Sequence, residues 1–103
     1  ELIQKDLLPE ALLYASDELT LGAYRAFQEH HIQIGKDISI ISIDDMPYSK
    51  FLNPPLTTVS LNIPTIGEAV SFAFLSQIEG RAYPLTIHSP IQLILRESCK
   101  SLN

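Results

Sequence analysis

Cysteine is nearly absent: Cys99 is the single one in 103 residues. One thiol cannot staple a secreted scaffold, so a reducing compartment, the cytoplasm, is expected. Glycine is scarce too, and with four glycines in the chain no glycine-rich loop cradles a phosphate. Positive charge is thin and scattered, with 7 Lys and Arg against 12 Asp and Glu, a net charge of −5. A surface that binds nucleic acid needs clustered cations, so this segment is not expected to contact DNA itself. Long apolar runs are also missing. The run Ile38 to Ile43 is interrupted by serines and falls far short of the roughly 20 residues that span a bilayer, so no membrane association is expected. Glu1 opens the chain without a basic start and apolar stretch, and nothing reads as a signal peptide. Repeats, low-complexity tracts and Gly/Ser linkers are absent as well.

What remains is 46% hydrophobic and 18% charged, the balance of one α/β domain with a modest core. Glu1 to Leu8 reads as the tail of a helix stopped by Pro9. Ala11 to Ala15 is short and continuously apolar, as in a strand buried on both faces. Ser16 and Asp17 are good caps for the helix that follows, whose core stripe is Leu19, Gly22, Ala23, Ala26, Phe27 and His30. Ile38 to Ile43 is a second buried strand ending in Asp44-Asp45. Strand, helix, strand is a βαβ unit, so the two strands should be parallel neighbours. A loop with Pro47, Pro54 and Pro55 leads to an extended segment, Leu56 to Leu61. Asn62 can cap a further helix with Ile66, Val70, Ala73, Phe74 and Ile78 on its apolar face and Gly80 at its end. Leu85 to His88 and Gln92 to Arg96 read as two final strands.

In an open parallel sheet, ligands bind at the carboxyl ends of the strands. Two strands end here in polar pairs, Ser16-Asp17 and Asp44-Asp45, which would share one rim. Carboxylates accept hydrogen bonds from neighbouring hydroxyls, the chemistry that recognises a sugar or polyol. Ser16, Asp17 and Asp44 are therefore the candidate ligand-binding residues. The structural reading stands beside each: Ser16 as a helix cap, Asp17 as a turn or cap residue, Asp45 as the organiser of an Asx-turn. Enzyme readings are weaker. Asp44-Asp45 lacks a third ligand for Mg²⁺, and His30, His31 and His88 lack metal-ligand spacing, so neither metal nor cofactor is expected. Ser16, His30 and Asp44 contain the residue types of a nucleophilic triad, but His30 lies roughly three to four helical turns from Ser16.

Leu21, Tyr24 and Arg25 lie off the expected core stripe, and the proline-bounded loop adds Tyr48, Phe51 and Leu52. Apolar, aromatic and Arg residues of this kind favour a subunit interface, with Leu21, Tyr24, Arg25, Tyr48 and Leu52 as its candidates.

The string Tyr14-Ala15-Ser16-Asp17, followed by Leu21-Gly22-Ala23 and Arg25-Ala26, resembles the strand-to-helix element of LacI/GalR-family regulators. Asp37-Ile38-Ser39-Ile40, Asp44-Asp45 and Asn53-Pro54-Pro55-Leu56-Thr57-Thr58-Val59 continue the likeness, as do Gly67, Ala69, Ile78-Glu79-Gly80 and Leu95-Arg96-Glu97-Ser98. It departs from the common family pattern at Ser42-Ile43, where glycine and an aromatic residue are frequent. The resemblance implies a periplasmic-binding-protein-like (type I) α/β effector domain with a parallel sheet and two lobes. Residues 1–103 would form only its carboxy-terminal part, without the DNA-binding domain or the first half of the effector domain. It implies Asp44 as the hydroxyl-binding aspartate, Ser16 as a second polar contact, and Leu21, Arg25 and Leu52 on a homodimer interface. The expected function is sensing of a sugar effector by a repressor, without chemistry. The alternatives are a solute-binding protein of a sugar transporter, which shares the architecture, and a small enzyme using Asp44 and Asp45.

Overall fold

A computed structural model describes residues 2–83 and 86–101. Its elements are β1 (Ala11–Leu13), α1 (Asp17–Glu29), β2 (Ser39–Asp44), a short 3-10 turn (Ser49–Phe51), β3 (Thr57–Ser60), α2 (Ile63–Ile78) and β4 (Gln92–Ile94). The strands form one sheet in the order β1-β2-β3-β4. β1, β2 and β3 run parallel and β4 antiparallel beside β3. The expected βαβ unit is present, with Leu12 paired to Ile40 and α1 as its crossover.

β2 shows the period-2 logic of a strand with one covered face. Ile38, Ile40 and Ser42 are buried, while Ser39, Ile41 and Ile43 are half-buried. Ile38 and Ile40 form the core with Phe27 of α1 and Leu56, and Leu12, Tyr14, Ala23, Tyr24 and Leu52 pack around them. The carboxy-terminal segment closes this unit. Ser98 Oγ donates to Ile40 O at 2.6 Å and accepts from Thr57 N–H at 2.8 Å, tying β2 to β3. Glu97 passes so close to Gly35 that a Cβ there would lie 2.2 Å from Glu97 O. Gly35 also has φ of +80°, so two requirements select glycine at this position.

Several expectations are corrected. Residues 2–6 form a hydrogen-bonded turn, with Asp6 N–H bonded to Ile3 O, rather than a helix tail. β1 is a sheet edge with Leu13 exposed, so it is not buried on both faces. The core stripe of α1 is rotated: Asp17, Thr20 and Phe27 are buried, while Leu19, Gly22 and His30 are exposed. Hydropathy misplaced the stripe because polar Asp17 and Thr20 enter the interior with their hydrogen bonds made. Thr86 to His88 carry no strand, and Leu85 lies outside the described residues.

α2 behaves differently from α1. Its only buried residue is Ser76, whereas Ile63, Val70, Phe72, Phe74, Leu75 and Ile78 are exposed. The radius of gyration is 18.1 Å and the extents are 58 × 30 × 21 Å. A compact chain of this length has a radius near 13 Å. α2 therefore projects from the sheet unit instead of covering it.

Candidate functional site

The carboxyl ends of the three parallel strands lie on one rim. The β2–β3 register places Asp44 beside Ser60, and Ser16 and Asp44 line the same depression of about 360 Å³ with Glu18, Leu21, Met46 and Tyr48. Ser16 occupies the N-cap position of α1, but its side chain makes no capping hydrogen bond. Its hydroxyl is thus not committed to the helix. Among the described residues the Asp44 carboxylate has no hydrogen-bond or ion-pair partner, although the residue is half-buried.

The backbone under Asp44 is unusual. Asp44 has φ of +124° and Asp45 +56°, conformations that cost a non-glycine residue on the order of 1–3 kcal/mol each. Such strain persists where surrounding bonds over-determine it. Asp45 N–H donates to Thr58 Oγ1 at 3.3 Å, and its carboxylate pairs with Arg96 at 2.7 Å. Arg96 also donates to Leu56 O at 2.7 Å. Asp45 is therefore held by an ion pair to the segment after β4, not by the Asx-turn expected for it.

Asp17 does not reach the rim, and its expected place among the ligand contacts is corrected. It is 0% exposed. Oδ1 accepts hydroxyl hydrogen bonds from Ser42 (2.5 Å) and Thr58 (2.7 Å). Oδ2 accepts from Met46 N–H (2.8 Å) and from the Ser49 hydroxyl. Both oxygens are saturated, so nothing is left for a ligand. Burial pushes this carboxyl upward, but the bonds from Ser42, Ser49, Thr58 and Met46 together outweigh it and hold it below the usual carboxylate range. Its place at the N-terminus of α1 also suits a negative charge. Ser42, where the sequence departs from the family pattern, is one of the four donors.

The Tyr48 phenol is raised above its ordinary value, first by desolvation and then by the nearby carboxylates of Asp17, Glu18 and Asp44. With Glu18 and Asp44 lining the depression and no Lys or Arg among the described residues that line it, the rim is electronegative and suited to accepting hydrogen bonds from hydroxyl groups. Ser60, which the sequence reading did not single out, and Asn62, read there only as a helix cap, border a second depression shared with Asp44 and Asp45. The strand-end rule that found Asp44 applies equally to Val59-Ser60-Leu61-Asn62 and could have found them. His30 sits at the far end of α1 from Ser16, about 20 Å along the helix, so the two form no catalytic pair.

The interface candidates fall in two places. Tyr24, Arg25 and Leu52 line a depression of about 490 Å³ with Gln28, Ile32 and Pro54, whereas Leu21 and Tyr48 border the Ser16–Asp44 depression. The exposed edge of α1, with Leu21 and Arg25 one turn apart, joins them. Arg25 pairs with Glu29 at 2.6 Å. Tyr24 packs against the core, donates its hydroxyl to Pro54 O at 2.8 Å, and has its phenol pushed up to about 12, chiefly by burial.

Residues 1–99 match the family described as periplasmic binding protein-like domain, the class that the sheet order and crossover define. Among curated proteins the chain is 33% identical over 99 residues to a lactose operon repressor of Rhizobium radiobacter, covering 96% of this chain and 88% of that protein. It is 30% identical to the lactose operon repressor of Escherichia coli, covering the whole chain but 29% of that protein. A solved lac repressor dimer bound to operator and the anti-inducer ONPF superposes with a TM-score of 0.86 at 30% identity, over 97% of this chain and 35% of that one. The chain belongs to the LacI/GalR family of transcriptional regulators. It spans about a third of the solved repressor it matches.

Proposed function

We propose that residues 1–103 are the carboxy-terminal part of the two-lobed effector domain of a dimeric transcription repressor, and that the Ser16–Asp44 rim binds a sugar or polyol. The unpartnered Asp44 carboxylate, half-buried on strained backbone in the same depression as the uncommitted Ser16 hydroxyl, carries this reading. Ser60 and Asn62 extend the rim on its other side. The sheet and α1 belong to one lobe and α2 to the other, which accounts for the elongated shape and the bare apolar faces of α2. The segments after β3 and before β4 are then the crossovers. The ligand shifts the lobe arrangement by binding one arrangement better than the other, and DNA affinity changes with it. DNA is read by a different part of the cytoplasmic protein, and the ligand leaves chemically unchanged.

Homodimerisation would use the exposed edge of α1, with Leu21 and Arg25, and the loop carrying Tyr48 and Leu52, braced by Tyr24. The related proteins are named repressors, which favours this reading over a transporter's solute-binding protein. Replacing Asp44 with Ala removes charge-assisted hydrogen bonds worth roughly 1.5–3 kcal/mol. Effector affinity should therefore fall about 10- to 100-fold, with the thermal midpoint of the ligand-free protein unchanged. Calorimetric titration of full-length D44A giving wild-type affinity would remove Asp44 from the site.

A further inference from the structure

The buried Asp17 carboxylate poses a question that ligand contact does not answer. Among the described residues it pairs with no cation and is satisfied by neutral donors alone. Stability accounts for only part of this, because four bonds to one carboxylate also fix where their donors sit. Its effect is geometric. The donors come from β2, from the loop and turn after it, and from β3, so that in the chain Ser42 and Met46 bracket Asp44 and Asp45.

We propose that Asp17 is a positioning residue for the effector site, fixing the strained Asp44-Asp45 backbone that presents the Asp44 carboxylate. This rests on reading Asp44 as the ligand anchor. Three ties hold the strained pair: Met46 N–H to Asp17, Asp45 N–H to Thr58 Oγ1, and the Asp45 carboxylate to Arg96. Two of them pass through Asp17 and Thr58, because the Thr58 hydroxyl that accepts from Asp45 N–H also donates to Asp17. Removing that hydroxyl releases Asp45 and deprives Asp17 of one donor in a single change, without touching the rim.

The test compares full-length T58V, which keeps the shape and loses the hydroxyl, with T58S, which keeps the hydroxyl. S42A removes a different donor to the same Asp17 oxygen and serves if T58V does not fold. Binding is measured by calorimetry with galactose, lactose, melibiose, glucose and xylitol, well below each variant's thermal midpoint. Amide exchange at Asp45 and Met46 is followed without ligand. T58V should bind the responding sugar about tenfold more weakly and exchange faster at both amides, and T58S should restore both. Equal losses in T58V and T58S, or wild-type affinity in T58V while D44A abolishes binding, overturn the positioning role and leave the anchor standing. Wild-type affinity in D44A, or no response to any of the sugars, removes the anchor and the positioning role with it.

Discussion

The sheet unit and α2 solve the burial problem in opposite ways. Among the described residues around β2 and β3 the fully buried ones are mostly polar: Asp17, Thr20, Ser42, Ser49, Thr57, Thr58 and Ser98 accompany three fully buried apolar side chains, Ile38, Ile40 and Leu56. No buried side-chain polar atom among the described residues lacks a partner. In α2 large apolar side chains face outward, Phe74 being 63% exposed. The buried polar groups of the first region satisfy one another among the described residues. The second has a surface that becomes an interior only when covered, as the two-lobed reading requires. Satisfied polar networks specify one arrangement at high stakes, since each lost member leaves others unpaired.

The largest expected break in this contrast is D17A. It leaves three hydroxyls and a backbone N–H without an acceptor, and denaturant unfolding should show a loss of roughly 4 kcal/mol or more. The pH dependence has a definite sign. The Asp17 carboxyl is held below its unfolded value, so its contribution is complete above the usual carboxylate range and disappears as pH falls through the folded-state value. The acid limb of the wild-type stability curve should flatten in D17N. An unchanged limb would mean that Asp17 is not held low.

A glycine pair sharpens the comparison at intermediate size. Gly35 and Gly80 both have positive φ, but only Gly35 faces a backbone that a Cβ would strike. G35A should cost about 2 kcal/mol or more and G80A about 1 kcal/mol, by thermal unfolding. Equal costs would show that backbone conformation alone matters at both positions. The smallest effect is expected from F74A. In the 103-residue chain, where Phe74 is already exposed, the change should stay within about 0.5 kcal/mol. A loss of several kcal/mol there would erase the distinction between the two regions.

Much of this architecture was legible in the residues. The β-branched run Ile38–Ile43, the cap and stop around α2, and the apolar run at Ala11 located elements within a few residues of their observed bounds. The strand-end rule put Ser16 and Asp44 on one rim. Local pattern failed where partners are remote. Asp17 is bonded to residues 25 to 41 positions away, and only tertiary pairing turns an apparent turn residue into a buried hub. The same blindness misplaced the stripe of α1 and assigned Asp45 to a turn, since Arg96, its partner, follows 51 residues later. Tyr24 was read as surface for a similar reason, its hydroxyl bonding to Pro54 across 30 residues.

The antiparallel return of β4 beside β3 has a consequence for how such proteins diversify. The strand that finishes the sheet, with Arg96 and Ser98 beyond it, is reached only after the chain has left through α2 and come back. A recombination event that exchanged residues up to the end of β3 would import the sheet unit without its own latch, leaving Ile40 O and Thr57 N–H to a foreign terminus. A break inside this return is therefore expected to loosen the sheet unit, whereas point changes along the rim leave the Ser98 and Arg96 bonds in place.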